Sequence, residues 1–281
     1  MYSTAETKLF IVFGHPVGHT LSPMLQSIIA EKSGDDIAYL AFDASPDEFS
    51  TKFEAAKHIA SGFNITVPHK LSVMEYIDVV SPAAKCIGAV NTIVKKDDLW
   101  YGYNTDDIGF LKSLEMNKTD INEKNILMLG AGGAARGVAY ALATNGAKKI
   151  TITARTQEKA DLIGKMIEAN SNAEYSGVFE QNSKYDIIIN TTPLGMHPLE
   201  NENPFDRFDI VTENTVCYDL IYSPWETLFL KEAKKRGAKT INGFEMLCYQ
   251  GIYAFEHFSG KKFSDMFFNE IYELFLSEFR K

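Results

Sequence analysis

The chain has 281 residues, 45% of them hydrophobic and 23% charged, with a formal net charge of −9. That length suits two domains of ordinary size, the composition is that of a soluble globular protein, and the acidic balance argues against a nucleic-acid partner. Cys86, Cys217 and Cys248 lie far apart without ligand spacing, which reads as small buried hydrophobes and not a disulfide or metal framework; no apolar run nears the roughly 20 residues of a membrane helix, Met1 to Lys8 lacks a leader core, and the expected home is the cytoplasm.

The first elements alternate strand and helix. Leu9 to Phe13 reads as a strand, followed by a Gly/Pro loop from Gly14 to Thr20 that ends at Ser22-Pro23, an N-cap with proline at the first helical position. Met24, Leu25, Ile28 and Ile29 mark the apolar face of that helix. A strand from Ala38 to Phe42 precedes the capping box Ser45-Pro46-Asp47-Glu48, whose helix turns Phe49, Phe53 and Ala56 inward. Gly62 to Thr66 is a short strand running into Val67-Pro68-His69-Lys70, where another helix is expected to begin. Ala89 to Val94 and Leu99 to Tyr103 pair as a hairpin turning at Lys95 to Asp98. Asn104-Thr105-Asp106 then opens a helix with Ile108, Phe110, Leu111 and Leu114 on one side.

A second domain is organised around Ile126 to Arg136, an apolar strand ending in glycines before an alanine-rich helix that stops at Asn145-Gly146. Gly130, Gly132 and Ala135 occupy the three positions of a dinucleotide fingerprint. A pyrophosphate there would meet backbone N–H groups of Ala131, Gly133 and Ala134 at a helix N-terminus. The next strand, Lys149 to Thr153, ends in Ala154-Arg155-Thr156-Gln157-Glu158-Lys159 where an NAD protein usually carries an acid. Arg155, Thr156 and Lys159 suit a 2′-phosphate and favour NADP. Later come a helix from Gln157 to Ala169 and strands at Asp186–Asn190, Val216–Tyr222 and Lys239–Asn242, with a helix from Trp225 to Arg236 between the last two. This alternation predicts a doubly wound parallel sheet of Rossmann type. Gly243 starts a helix through Met246, Leu247 and Gln250, and a last helix from Asp265 to Phe279 presents Met266, Ile271, Leu274 and Phe275 as core.

Seven blocks follow one another along nearly the whole chain: Gly14-His15-Pro16, Ser22-Pro23, Asn64 to Lys70, Gly88 to Thr92, Asn104-Thr105-Asp106, Gly130 to Gly133 and Gly243 to Gln250. Together they resemble the shikimate dehydrogenase family. The resemblance implies NADPH-dependent reduction of 3-dehydroshikimate to shikimate, a step toward aromatic amino acids. It also implies a discontinuous α/β substrate-binding domain, residues 1–105 and 243–281, beside an NADP-binding domain of residues 106–242, with a cleft between them.

Reduction of a ring ketone needs a hydride and a proton donor beside the oxygen. Lys70 follows a strand and a proline-fixed turn, and a cation at a helix start calls for a partner; the resemblance matches Lys70 to the catalytic lysine and Asp106 to its acidic partner. It matches Thr20 and Ser22 to a carboxylate-binding pair, with threonine where serine is usual, and Asn64, Thr66, Asn91 and Gln250 to ring-hydroxyl contacts. Tyr222 resembles a tyrosine that reaches substrate across the cleft. Asn190 and Thr191 end a strand at the dinucleotide edge, and Gly243 and Met246 are expected near the nicotinamide. His15 and His19 sit in a loop without a third ligand, so no metal is expected. Small-molecule substrate, no membrane and a monomer or homodimer complete the reading. The competing readings are a quinate/shikimate dehydrogenase using NAD and a non-catalytic dinucleotide-binding module.

Overall fold

The computed structural model describes residues 4–181 and 183–281; residues 1–3, the start of the stretch read above for a leader, and residue 182 lie outside it. The first ten elements are β1 (Lys8–Gly14), α1 (Ser22–Ser33), β2 (Ile37–Asp43), α2 (Pro46–Ala56), β3 (Gly62–Ile65), β4 (Val79–Val80), α3 (Pro82–Ile87), β5 (Thr92–Lys96), β6 (Leu99–Tyr103) and α4 (Asp106–Met116). There follow β7 (Asn125–Leu129), α5 (Gly133–Thr144), β8 (Lys149–Thr153), α6 (Gln157–Asn170), β9 (Glu174–Ser176), β10 (Ile187–Asn190) and β11 (Val216–Asp219). The chain closes with α7 (Leu228–Lys235), β12 (Lys239–Ile241), α8 (Phe244–Ser259) and α9 (Asp265–Phe279). It forms two compact units, Met1–Gly109 with Cys248–Lys281, and Phe110–Leu247. The changeovers fall inside α4 and α8, not at the expected 105/106 and 242/243 junctions.

The discontinuous unit holds a mixed six-stranded sheet in the order β2-β1-β3-β5-β6-β4. β1 lies parallel to both β2 and β3, while β5 runs antiparallel to β3 and β6. The run Phe10 to Phe13 is buried on both faces, as a central parallel strand requires. Phe13, Phe49, Phe53 and Phe63 form one aromatic cluster under α2, with neighbouring ring centroids 4.9–6.0 Å apart. The Ser45 capping box forms as expected, Glu48 reaching back to the Ser45 N–H at 3.3 Å. At the hairpin tip Asp97 and Asp98 both adopt positive φ, the backbone that a tight two-residue turn demands.

Three local expectations are corrected in this unit. Instead of a helix beginning at residue 67, a hydrogen-bonded turn carries Lys70 and only a short 3-10 turn, Ser72–Tyr76, follows. The N-cap of α1 is Leu21, so Ser22 is already the first helical residue and its hydroxyl is not used in a cap. Met266 is 80% exposed; α9 buries Phe268, Ile271 and Phe275 instead. The unanticipated α3 begins at a Ser81-Pro82 cap, and it leaves Cys86 exposed, unlike Cys217 and Cys248.

The second unit is a wholly parallel sheet, β12-β11-β10-β7-β8-β9. Its order reverses between β7 and β10, because the chain leaves β7 for β8 on one side and returns to β10 on the other. That reversal opens a crevice at the strand C-termini, where open α/β sheets bind ligands. α5 packs an alanine-rich face, Ala135, Val138, Ala139 and Leu142, on β7 and β8 residues such as Ile126 and Ile150. β11 stops at Asp219, three residues short of the expected end at Tyr222, because the Asp219 carboxylate takes the Ile221 N–H out of the ladder.

Candidate active site

The centre of the site in the discontinuous unit is an ion pair. Lys70 Nζ donates to Asp106 Oδ2 at 2.6 Å, with side chains only 10% and 5% exposed. A carboxylate and an ammonium taken out of water must satisfy each other and their remaining bonding capacity. Asp106 Oδ1 accepts from Asn91 Nδ2 at 2.9 Å, and its backbone N–H is capped by Asn104 Oδ1 at 2.9 Å. The lysine arrives on a turn clamped at both flanks. His69 stacks on Phe49 with ring centroids 4.0 Å apart, and its Nε2 donates to the Ala44 carbonyl at 2.7 Å. The Lys70 carbonyl accepts the Val90 N–H at 2.8 Å. Burial lowers the His69 pKa, which keeps a second cation away from Lys70.

Asn91 supports the pair through its side-chain amide. Its Oδ1 already accepts the Thr105 N–H, the Thr105 hydroxyl and the Thr92 hydroxyl, and its Nδ2 donates to Thr105 and Asp106. In this arrangement Asn91 positions Asp106. Asn64 is also engaged, accepting from Tyr39 at 2.6 Å and donating to the Asn91 carbonyl and Thr92, yet one lone pair of its Oδ1 stays available. Thr20 and Ser22 form a hydroxyl pair 3.1 Å apart, half-buried at the start of α1. Thr66 is half-buried beside Gly14, where a Cβ would lie 2.4 Å from the Thr66 methyl. Gln250, half-buried on α8, passes so close to α4 that a Cβ on Gly109 would sit 2.7 Å from its backbone nitrogen.

In the parallel unit the crevice has a glycine on one bank. Gly130 adopts φ +107°, and a Cβ there would meet Thr191 Oγ1 at 2.7 Å. Thr191 in turn donates both its N–H and its hydroxyl to the Leu129 carbonyl, tying the end of β10 to the end of β7. At Gly132, the N-cap of α5, no side chain caps the helix and a Cβ would meet nothing within 4 Å. Ala131, Gly133 and Ala134 are half-buried beside it. This open, uncapped N-terminus is what a pyrophosphate requires. Arg155, Thr156 and Lys159 are exposed at the end of β8, and Thr156 is the N-cap of α6 without a side-chain cap bond, so its hydroxyl is available. Among the described residues neither the Arg155 nor the Lys159 side chain has an ion-pair partner. The residues present therefore fit a dinucleotide carrying a 2′-phosphate.

Three other expected cofactor or substrate residues in this unit have mainly packing surroundings. Met246 is 6% exposed inside the core with Tyr218 and Ile241, which leaves little of it for a ligand. A Cβ on Gly243 would collide with the Leu220 carbonyl oxygen, so backbone contact already requires a glycine there. Tyr222 is half-buried in the loop after β11, and burial raises its phenol pKa. Tyr39, His69, Thr92 and Thr105 went unassigned in the sequence; all but Tyr39 lie inside the quoted blocks, but the partners of His69 and Thr105, Ala44 and Asn91, lie in other segments.

Residues 12–93 match the family described as shikimate dehydrogenase substrate binding domain, and residues 112–213 match shikimate / quinate 5-dehydrogenase. A shikimate dehydrogenase (NADP(+)) of Methanococcus maripaludis strain C7 is 42% identical over 92% of this chain and 93% of its own. A crystal structure of a shikimate dehydrogenase in complex with NADP+ superposes with a TM-score of 0.86 at 40% identity, covering 96% of both chains. That of a Thermus thermophilus shikimate 5-dehydrogenase in complex with NADP(H) and shikimate gives 0.84 at 31% identity, covering 96% of this chain and 100% of the other. With two family matches spread along the sequence and near full-length similarity to such enzymes, the chain belongs to the shikimate dehydrogenase family.

Proposed function

We propose that the protein catalyses the reversible, NADP-dependent oxidation of shikimate to 3-dehydroshikimate, and the observation that carries this reading is the buried Lys70–Asp106 pair. In the direction of reduction the Lys70 ammonium, held by Asp106, gives a proton to the ketone oxygen as it becomes a hydroxyl. In the reverse direction the same nitrogen takes the hydroxyl proton. NADP, when bound, supplies or accepts the hydride. Asp106 keeps the ammonium in place, and Asn91 keeps Asp106 in place. The Thr20–Ser22 hydroxyl pair is suited to a carboxylate, while Asn64, Thr66, Asn91 and Gln250 are assigned to ring hydroxyls. Arg155, Thr156 and Lys159 hold the 2′-phosphate, with Gly130 to Ala134 and Thr191 at the pyrophosphate edge. A reducing cytoplasmic setting, where free thiols persist, agrees with this activity. Among the described residues no helix is long and apolar enough to cross a membrane.

Initial rates at 340 nm with shikimate and quinate, each against NADP+ and NAD+, test the assignment. Shikimate with NADP+ is expected to lead the other three pairs in kcat/KM. Leading turnover of quinate with NAD+ would favour the rival specificity that Thr20 keeps open, and four flat traces would refute the enzyme reading.

Arg155→Ala provides a separate check on the cofactor. Loss of a charge-assisted contact to the 2′-phosphate is expected to raise KM for NADP+ by about 10- to 100-fold. NAD+, which lacks that phosphate, should bind the variant as it binds the parent. Equal losses for both dinucleotides would show that Arg155 does not read the phosphate.

A further inference from the structure

Asp219, at the end of β11, is fully buried and joins three separate segments of the parallel unit. Its Oδ1 accepts from Asn190 Nδ2 and from the Ile221 N–H, both at 3.0 Å, and its Oδ2 accepts the Thr227 hydroxyl at 2.6 Å. Each contact is relayed outward. Asn190 Oδ1 accepts the Thr192 N–H and hydroxyl at 2.9 and 2.7 Å, and the Thr192 hydroxyl accepts the Leu194 N–H. Thr227 caps α7 through the Leu230 N–H, and Ile221 leads into Tyr222. The turn after β10 is thereby tied to the turn after β11. That first turn starts at Thr191, on the bank of the crevice facing Gly130.

A buried carboxylate with three donors and, among the described residues, no cation is an expensive way to fill a core. Burial pushes its pKa up to about 7, a mark of that expense. An apolar side chain would pack there without it but would release three loop ends.

We propose that Asp219 is a positioning residue for the dinucleotide, fixing the Asn190–Leu194 turn so that Thr191 and its neighbours hold the cofactor edge of the crevice. The proposal rests on the reading that the dinucleotide binds at this edge.

Two variants separate positioning from bulk stability. Asp219→Ala removes all three acceptor contacts. Asp219→Asn retains an oxygen for Asn190 and Ile221 and can donate its amide to the Thr227 hydroxyl, so it is the conservative rescue. In the apo protein, Asp219→Ala is expected to speed amide exchange at Thr192, Leu194 and Ile221 by about 10-fold or more relative to Leu127 in β7. NADPH binding, followed by its fluorescence, should weaken by about 10-fold, while shikimate binding measured calorimetrically stays within about 2-fold. Asp219→Asn should restore both readouts. Uniformly faster exchange, unchanged NADPH affinity in folded Asp219→Ala, or failure of the asparagine to rescue would each overturn the proposal. If Asp219→Ala does not fold, Thr227→Val removes one donor and must show the same pattern at smaller amplitude. Parent protein that binds no NADPH would refute the cofactor reading instead, and the exchange pattern in the apo protein then decides the positioning role alone.

Discussion

Lys70→Ala is expected to lower kcat by about 10²- to 10⁴-fold, the range for removing a positioned proton donor. KM for shikimate should change far less, because Thr20, Ser22, Asn64 and Gln250 lie on other segments. The pair is nearly closed to solvent, with its two side chains 10% and 5% exposed. Removing the ammonium therefore strands the Asp106 carboxylate, and stability should fall by about 3–5 kcal/mol. Asp106→Asn would strand the lysine in the same way and loosen its aim. A thermodynamic cycle distinguishes one machine from two: if the groups act together, Lys70→Ala/Asp106→Asn costs scarcely more in kcat than the worse single change. Losses that multiply would mean that Asp106 acts independently of Lys70. Turnover of Lys70→Ala within a few-fold of the parent would remove lysine from the mechanism.

Much of this site could be read from the chain because its parts are local. The strand, glycine turn and helix from Ile126 to Thr144 follow from apolar run, Gly130 and alanine-rich segment, each a short-range preference. Arg155 and Lys159 occur one strand later, where the cofactor's ribose is met, so their spacing is itself informative. Local chemistry singles out Lys70, but the resemblance is needed to pair it with Asp106, since 36 residues separate them. What stayed hidden is three-dimensional. Nothing in the string of letters says that the Asn91 amide bonds Thr92, Thr105 and Asp106, which makes it a support for the carboxylate. Asp219 sits within VCYDLIY, and that apolar run reads as a continuous strand until the carboxylate is seen taking the Ile221 N–H. Met266 fits the helical period but lies in the first turn of α9, before the buried face defined by Phe268, Ile271 and Phe275 begins.

Acidification from pH 8 to 5.5 is expected to stabilise the parallel unit and to leave the discontinuous unit nearly unchanged. Burial raises the Asp219 pKa to about 7, against roughly 3.9 in an unfolded chain. The folded state thus binds a proton more readily, so its stability contribution is fully present below the unfolded pKa and is lost as pH rises through about 7. Between pH 8 and 5.5 this amounts to about 2 kcal/mol of added stability. Glu245, also raised by burial, acts with the same sign in that unit. In the discontinuous unit Asp107, raised to about 6 by burial first and by Asp106 as a lesser cause, gains in the same direction. His257 opposes it: burial, then Lys96 and Lys262, lower its pKa to about 4, so protonation of the unfolded chain below about pH 6.5 favours unfolding. Burial of His69 adds to that opposition. The chain has two tryptophans, Trp100 in one unit and Trp225 in the other, so Trp100→Phe and Trp225→Phe give each unit its own fluorescence reporter. Urea midpoints followed at Trp225 should rise on acidification and do so much less in Asp219→Asn, where only the Glu245 contribution is left, whereas those followed at Trp100 should move little until His257 is replaced by glutamine. Parallel pH dependence in the parent and Asp219→Asn would mean that the buried carboxylate is not the group that titrates.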